Sequence, residues 1–353
     1  MFTLNEKVKN LKPYDPISGN YHIRLDANES FITLPQEIKQ EISDRVLCNH
    51  FNRYPDPCAE ECCTGFAKYF GVPASCVMAG NGSDEVISVI MNAFLQKGDT
   101  VVTLARDFSM YAFYASLVEC RSVVVENNPD YTIPVDNVIE TVKREKARMV
   151  VFSNPCNPTS LVLPREEVRR LVQSVDALVV LDEAYMDFSD QSLLSEFSKY
   201  DNLIILKTCS KAIGMAGIRL GFAVANETLT KILLAVKSPY NLNSMTQAVG
   251  TVLFDHPEYI RSCVRRILES RDELYEHFCR ISKEFPGAFV PQKPEANFVY
   301  VLCKDAEGIF NHLKSKGIIV RFMGDHLRIS AGRNYENEVV SEEIEAYLKG
   351  ATQ

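Results

Sequence analysis

The feature that most restricts this chain is a rhythm. From residue 76 onward, short runs of β-branched and apolar residues alternate with amphipathic stretches of about 10 to 15 residues. "CVMAG" precedes "SDEVISVIMNAFLQKG", "TVVTLA" precedes "SMYAFYASLV", and "RSVVVE" precedes "VDNVIETVKREK". "RMVVFSNP" then precedes "PREEVRRLVQSV", and "ALVVLDE" follows. A strand buried on both faces reads as a continuous apolar run because helices cover its sheet above and below. The alternation therefore predicts an α/β domain built on a mostly parallel sheet. "NLIILKT" and "RLGFAVA" add two strands close enough in sequence that one is expected to run antiparallel.

After about residue 240 the pattern changes. A long charged helix is predicted in "HPEYIRSCVRRILESRDELYEHFCRISKEF", followed by strands in "ANFVYVLC", "IIVRF" and "HLRISA" around a helix in "AEGIFNHLKS". These elements read as a smaller α+β unit. The segment up to residue 28 has too little periodicity to fold alone and is expected to pack on another unit. At 353 residues the chain divides into a large domain over 29–245 and a small domain made of 1–28 and 246–353.

Composition serves mainly to exclude. A formal net charge of -8 gives no global positive field, so nucleic acid is not an expected partner. No apolar run approaches the roughly 18 to 20 residues of a membrane span, and "MFTLNEKVKNLKPYDP" lacks the apolar core of a secretory signal. No membrane partner is expected, and the cytoplasm is the expected compartment. The 11 cysteines read as free thiols in a reducing environment. Cys58, Cys62 and Cys63 of "PCAEECC" have no companion pair at zinc spacing, so no metal is expected and Cys62 and Cys63 are expected to pack on a helix.

Four segments at predicted strand ends carry chemistry. In "AGNGSDE" (79–85), Gly82 permits a close approach, and the free N–H groups near Ser83 and Asp84 suit a phosphate or carboxylate. The segment is neither a Walker A loop nor a GxGxxG fingerprint. In "VVFSNPCNPTS" (150–160) two prolines enforce a rigid turn that aims Asn154. "ALVVLDEAY" (177–185) ends in Asp182, Glu183 and Tyr185. A carboxylate at a buried strand end needs a partner, either a cation of the scaffold or a protonated ring nitrogen. "TCSKAIGMAGIRLGF" (208–222) sets Lys211 among small residues with Arg219 nearby. Low polarity and a neighbouring cation lower the pKa of an amine, as Schiff-base chemistry needs, and Arg219 suits a phosphate. Each segment alone has an ordinary structural explanation. Together they match a cofactor bearing a phosphate, a pyridine ring and an aldehyde.

"LDANES" (25–30), "RYPD" (53–56), "GNGSDE", "SNPCNPT", "DEAY", "SKAIGMAGIRLGF", "EANFVYV" and "LRIS" occur in the order seen in the fold-type I pyridoxal-phosphate aminotransferases. The chain resembles that family over almost its full length, and within it the branch acting on histidinol phosphate. The resemblance implies a seven-stranded, mostly parallel sheet between helices plus a smaller α+β domain, with pyridoxal 5'-phosphate as cofactor. It implies Lys211 as the Schiff-base lysine and proton carrier, Asp182 against the protonated pyridine nitrogen, and Asn154 and Tyr185 on the ring 3'-oxygen. Gly82, Ser83, Asp84, Ser210 and Arg219 would hold the phosphate with Thr208 behind them, and Phe108 would stack on the ring where tyrosine is common. Tyr54 would reach the phosphate from the neighbouring subunit of a homodimer with shared sites. Arg328 would grip the substrate α-carboxylate and Arg321 the substrate phosphate, with Tyr14, Glu29 and Asn154 lining the pocket. The implied reaction is transamination of L-histidinol phosphate with 2-oxoglutarate to imidazole-acetol phosphate and L-glutamate, a step of histidine biosynthesis. An aminotransferase for aromatic or other amino acids, a threonine-phosphate decarboxylase and a non-catalytic relative are the alternatives. Cys156 and Cys209, beside site residues, are expected either as buried spacers or as oxidation-sensitive thiols.

Overall fold

The computed structural model describes residues 2–9, 11–13 and 17–351. Its strands are β1 (Ile23–Leu25), β2 (Val77–Gly80), β3 (Thr100–Leu104), β4 (Arg121–Val125), β5 (Met149–Ser153) and β6 (Leu178–Asp182). They continue with β7 (Leu203–Thr208), β8 (Gly221–Ala225), β9 (Phe289–Pro291), β10 (Phe298–Cys303), β11 (Ile318–Met323) and β12 (His326–Ser330).

A seven-stranded sheet runs in the order β2-β8-β7-β6-β5-β3-β4. The pairs from β7 through β4 are parallel, whereas β8 is antiparallel to both β2 and β7. The reason lies in the connection. Residues 209–220 contain only the short 3-10 turn Ala216–Ile218, too little for the helical crossover that a parallel return requires. Strands β3, β5 and β7 are buried along their whole length, and helices occupy both faces, which accounts for their continuous apolar runs.

Register lines up the carboxyl ends of the middle strands. Ser153 stands opposite Asp182, and Asp182 opposite Leu206. The turn after β5, the acid at the end of β6 and the lysine loop after β7 therefore open onto one edge, where open α/β sheets place ligands.

A second, five-stranded sheet has the order β1-β11-β12-β10-β9, with β1 parallel to β11. The helices Pro257–Glu284 and Asn334–Ala351 pack together over its core of Leu274, Phe278, Val299 and Ile329. The N-terminal segment thus contributes an edge strand to the second sheet. The expected division at 245/246 falls inside the helix Ser244–Asp255, capped by Asn243, whose side chain accepts from the Thr246 N–H. Val249, Leu253 and Phe254 of that helix lie in the same core as Phe66 and Phe222. The change of pattern near residue 240 marks the start of a helix that still packs on the larger unit.

Cys62 and Cys63 are buried on the helix Glu60–Phe70. Phe66 of that helix stacks on Phe222 of β8 at 4.1 Å, and Phe254 meets Phe222 edge-on at 5.8 Å. Truncating Phe222 removes the shared member of this cluster. Phe222→Ala should lower stability by about 3–5 kcal/mol, read as a drop in the urea midpoint at unchanged slope.

Candidate functional site

The site builds outward from the end of β6. The Asp182 carboxylate is 5% exposed. It accepts a hydrogen bond from the Tyr111 hydroxyl at 2.7 Å and from the Ala184 N–H at 3.0 Å. Burial pushes its pKa up to about 6, against the pull of these two donors. Glu183, the next residue, has a separate set of partners. It accepts from Ser192 Oγ (2.6 Å) and the Leu193 N–H (3.0 Å), with Lys207 Nζ at 3.9 Å. Lys207 in turn donates to Asp187 at 3.0 Å, so this cation serves Asp187 and Glu183, while the hydrogen bonds to Asp182 come from neutral donors.

The helix Ser83–Phe94 begins beside β8. Gly82, not Ser83, is its N-cap, at φ 84°. A Cβ on Gly82 would lie 2.5 Å from Arg219 Nη2, and one on Gly221 would lie 2.5 Å from the Ser83 nitrogen. The two glycines let the arginine and the helix start come together. Arg219 Nη2 donates to Asp84 Oδ2 at 3.1 Å. Thr208 is the register partner of Gly221, and its Oγ1 accepts from the Ser210 N–H at 3.1 Å. Gly82, Ser83, Asp84, Thr208, Ser210 and Arg219 thus form one cradle of N–H groups, hydroxyls and a guanidinium around a helix N-terminus.

Lys211 Nζ donates to the Ala27 carbonyl at 3.0 Å and lies 5.8 Å from the centre of the Tyr185 ring. The Tyr185 hydroxyl accepts from Asn28 Nδ2 at 2.9 Å. Phe108 meets Tyr111 edge-on at 5.5 Å. Its N–H donates to Oδ1 of Asp107, whose carboxylate also receives the Ser153 N–H (2.9 Å) and the Ser153 hydroxyl.

The two asparagines of "SNPCNPT" part company. Asn154 is 0% exposed, and its amide is spent on the Leu163 backbone, donating to the carbonyl (3.0 Å) and accepting from the N–H (2.8 Å). The expectation that Asn154 faces cofactor and substrate is therefore corrected: its side chain braces the turn. Asn157 is the asparagine presented to the site. Its Oδ1 accepts from Arg328 Nη1 at 2.6 Å, and its N–H donates to Ser153 Oγ at 3.0 Å. Arg328 Nη2 also donates to the Asp26 carbonyl at 2.6 Å. Arg321 is the register partner of Arg328 across β11 and β12, so the two side chains leave the same sheet face.

Glu29 is exposed. Tyr54 is 81% exposed and stacks on Tyr240 at 4.5 Å. Tyr14 lies outside the described residues. Cys156 and Cys209 are buried, and burial pushes both thiols up, Cys156 to about 12. Neither supplies the thiolate that oxidation requires, which fits buried spacers. Sequence reasoning missed Tyr111, Asp107, Asn157 and Asn28. The available signal was a tyrosine hydroxyl and an aspartate in "RDFSMY", both close to a strand end.

Burial pushes Asp107 up to about 7 against its hydrogen bonds and Asp182 to about 6, both above the unperturbed 3.8. Between about pH 4 and 7 these two carboxyl groups hold more protons in the folded chain than in the unfolded one, so their contribution to stability falls as pH rises across that window. Asp107→Asn should flatten the decline in Tm of the cofactor-free protein between pH 5 and 8. An unchanged slope would place the titration elsewhere.

Residues 21–344 match the family model described as aminotransferase class I and II. A histidinol-phosphate aminotransferase of Clostridium novyi is 39% identical over 340 residues, covering 95% of this chain and 94% of its own. One from Clostridium kluyveri is 35% identical over 351 residues, covering 98% of each. The crystal structure of histidinol-phosphate aminotransferase from Sinorhizobium meliloti in complex with pyridoxal-5'-phosphate superposes with a TM-score of 0.88. It is 22% identical, covers 99% of this chain and 98% of its own, and shares the fold.

Proposed function

The chain belongs to the class I and II aminotransferases, and from that premise we propose that it uses pyridoxal 5'-phosphate to move the amino group of L-histidinol phosphate to 2-oxoglutarate. The products are imidazole-acetol phosphate and L-glutamate, in histidine biosynthesis. The observation that carries this reading is the convergence of Asp182, Lys211, Arg219 and, through Asn157, Arg328 on the edge where β5, β6 and β7 end.

The residues fit the cofactor. A Cβ at Gly82 or Gly221 would intrude on the cradle formed by the helix start and Arg219, and that cradle suits a phosphate. The Asp182 carboxylate, buried and hydrogen-bonded by neutral donors, suits a pyridine N–H. Lys211 offers the amine for an aldehyde. When bound, the cofactor supplies an electron-accepting ring next to the reacting carbon. Tyr111 and Ala184 hold the Asp182 carboxylate in place, and Phe108 would offer an aromatic face to the ring. Lys211 Nζ, 5.8 Å from the centre of the Tyr185 ring, would carry the proton between positions on the substrate. Asn157 and the Asp26 carbonyl orient the Arg328 guanidinium for a two-pronged grip on a carboxylate. Arg321, on the same face, supplies the second cation that a phosphate monoester needs.

The working form is a homodimer. Leu47, Phe51, Tyr54, Tyr240 and Met245 are exposed large apolar side chains on neighbouring segments, a surface suited to a second copy that brings Tyr54 to the partner's phosphate site. The cytoplasm is the proposed compartment. All 11 cysteines are free, which supports a reducing one.

The test is steady-state turnover of the cofactor-loaded protein with L-histidinol phosphate, L-glutamate, aromatic amino acids and L-threonine O-3-phosphate, with products identified by mass. Rapid turnover confined to histidinol phosphate and glutamate is the expected result. Release of carbon dioxide from threonine phosphate would transfer the assignment to a decarboxylase. Lys211→Ala should lower turnover by about 10³-fold or more, and a variant retaining near-normal turnover would overturn the mechanism.

A further inference from the structure

Three consecutive residues of "LDANES" touch three of the groups proposed for the reaction. The Asp26 carbonyl accepts from Arg328, the Ala27 carbonyl accepts from Lys211, and the Asn28 side chain donates to Tyr185. The first two contacts use backbone atoms that any residue supplies. The third uses a side chain, and its hydrogen-bond sense has a chemical consequence.

Asn28 is 1% exposed and sits in the left-handed region at φ 54°, a conformation that asparagine tolerates better than most residues. Every polar group it has is engaged. Its N–H donates to Ser330 Oγ (2.9 Å), and its carbonyl accepts from Asn297 Nδ2 (3.1 Å). The Ser330 hydroxyl, having taken that N–H, gives its own hydrogen to Asn28 Oδ1 at 3.1 Å. The oxygen end of the carboxamide is therefore held at Ser330, and the NH₂ end faces the Tyr185 hydroxyl at 2.9 Å.

A carboxamide NH₂ donates hydrogens and has no free lone pair to accept one, so the Tyr185 proton cannot point back at Asn28. The other neighbours of the ring leave that direction unaltered: Phe298 meets it edge-on at 5.3 Å, and Lys211 Nζ lies 5.8 Å from its centre. We propose that Asn28 is a positioning residue that forces the Tyr185 hydroxyl to donate its proton toward the cofactor, and so keeps the proton affinity of the cofactor–lysine linkage low. The inference rests on the proposed binding of pyridoxal 5'-phosphate with Tyr185 on its 3'-oxygen.

The experiment titrates the cofactor absorbance of the full-length loaded protein against pH. Wild type should show a titrating band, and Tyr185→Phe should move its midpoint upward. Absence of a band, or a midpoint indifferent to Tyr185→Phe, overturns the underlying reading and the inference with it. Given both, Asn28→Asp keeps the shape of the side chain but turns the end facing Tyr185 into an acceptor. The hydroxyl proton is drawn away, and the midpoint should rise by about one pH unit, a tenfold change in proton affinity. In a Tyr185→Phe background the same substitution should shift it by less than about 0.3 unit. Asn28→Gly keeps the left-handed backbone without the carboxamide and carries the test should the aspartate variant not fold. It should give a smaller rise in the same sense, also absent without the Tyr185 hydroxyl. Equal shifts with and without that hydroxyl would mean a through-space charge or a general loosening, and would overturn the role. So would an unmoved midpoint in both Asn28 variants.

Discussion

A carboxylate buried at the end of the middle strand of a seven-stranded sheet is the constraint around which the rest is arranged. Among the described residues no cation is in hydrogen-bond contact with Asp182, and burial, its largest influence, drives it toward the neutral acid. Two features keep it an acceptor aimed at the open edge. Tyr111 reaches it from the helix after β3, and the Ala184 N–H folds back on it from the following turn. The Asp182 carbonyl in turn accepts from the Asn154 N–H at 2.8 Å, so the proline-rich turn after β5 is anchored on the same residue. Lys207 is held by Asp187 at 3.0 Å and lies 3.9 Å from Glu183, so it makes no hydrogen bond to Asp182.

The second sheet completes what the first one starts. β1 is an edge strand of that sheet, and the residues that follow it, Asp26 to Asn28, lie across the boundary between the units. Ser330 at the end of β12 and Asn297 just before β10 lock Asn28 from the small side, while Tyr185 and Lys211 belong to the large one. A segment too irregular to fold alone is thereby the piece that relates the two halves. Its order comes from hydrogen bonds to both partners and not from its own propensity.

What was legible in the sequence was what is local. Apolar runs of the length of a buried strand identified the sheet, and the short link after Thr208 identified the antiparallel strand. Asp182 and Lys211 stood out because each occupies a place where an unpaired charge needs a reason. The two asparagines of "SNPCNPT" could not be separated, since both precede a proline in the same turn. Their difference is tertiary: Leu163 closes over Asn154, and Arg328, 171 residues along the chain, reaches Asn157. Tyr111 reads as one more core aromatic on an apolar helix: its place near a strand end is a signal, but one that does not say its hydroxyl ends on a carboxylate. The helix Ser244–Asp255 begins where the sequence pattern changes, so periodicity registered a new element but not which core it joins.

The small sheet also shows how a chain of net charge -8 brings cations together. Arg321 and Arg328 stand directly opposite each other on β11 and β12, and like charges in that position disfavour the pairing. Tyr300 is the partner of Arg328 on the other side, and its hydroxyl accepts from Arg106 Nη1 at 2.9 Å while the Arg106 guanidinium lies over Tyr131 at 4.8 Å. Arg328 and Arg106 are thus oriented through the Asn157 side chain, the Asp26 carbonyl, the Tyr300 hydroxyl and the Tyr131 face. Neutral contacts of that kind fix the direction of a guanidinium without removing its charge, which is how a chain that is acidic overall can hold cations in position at one sheet.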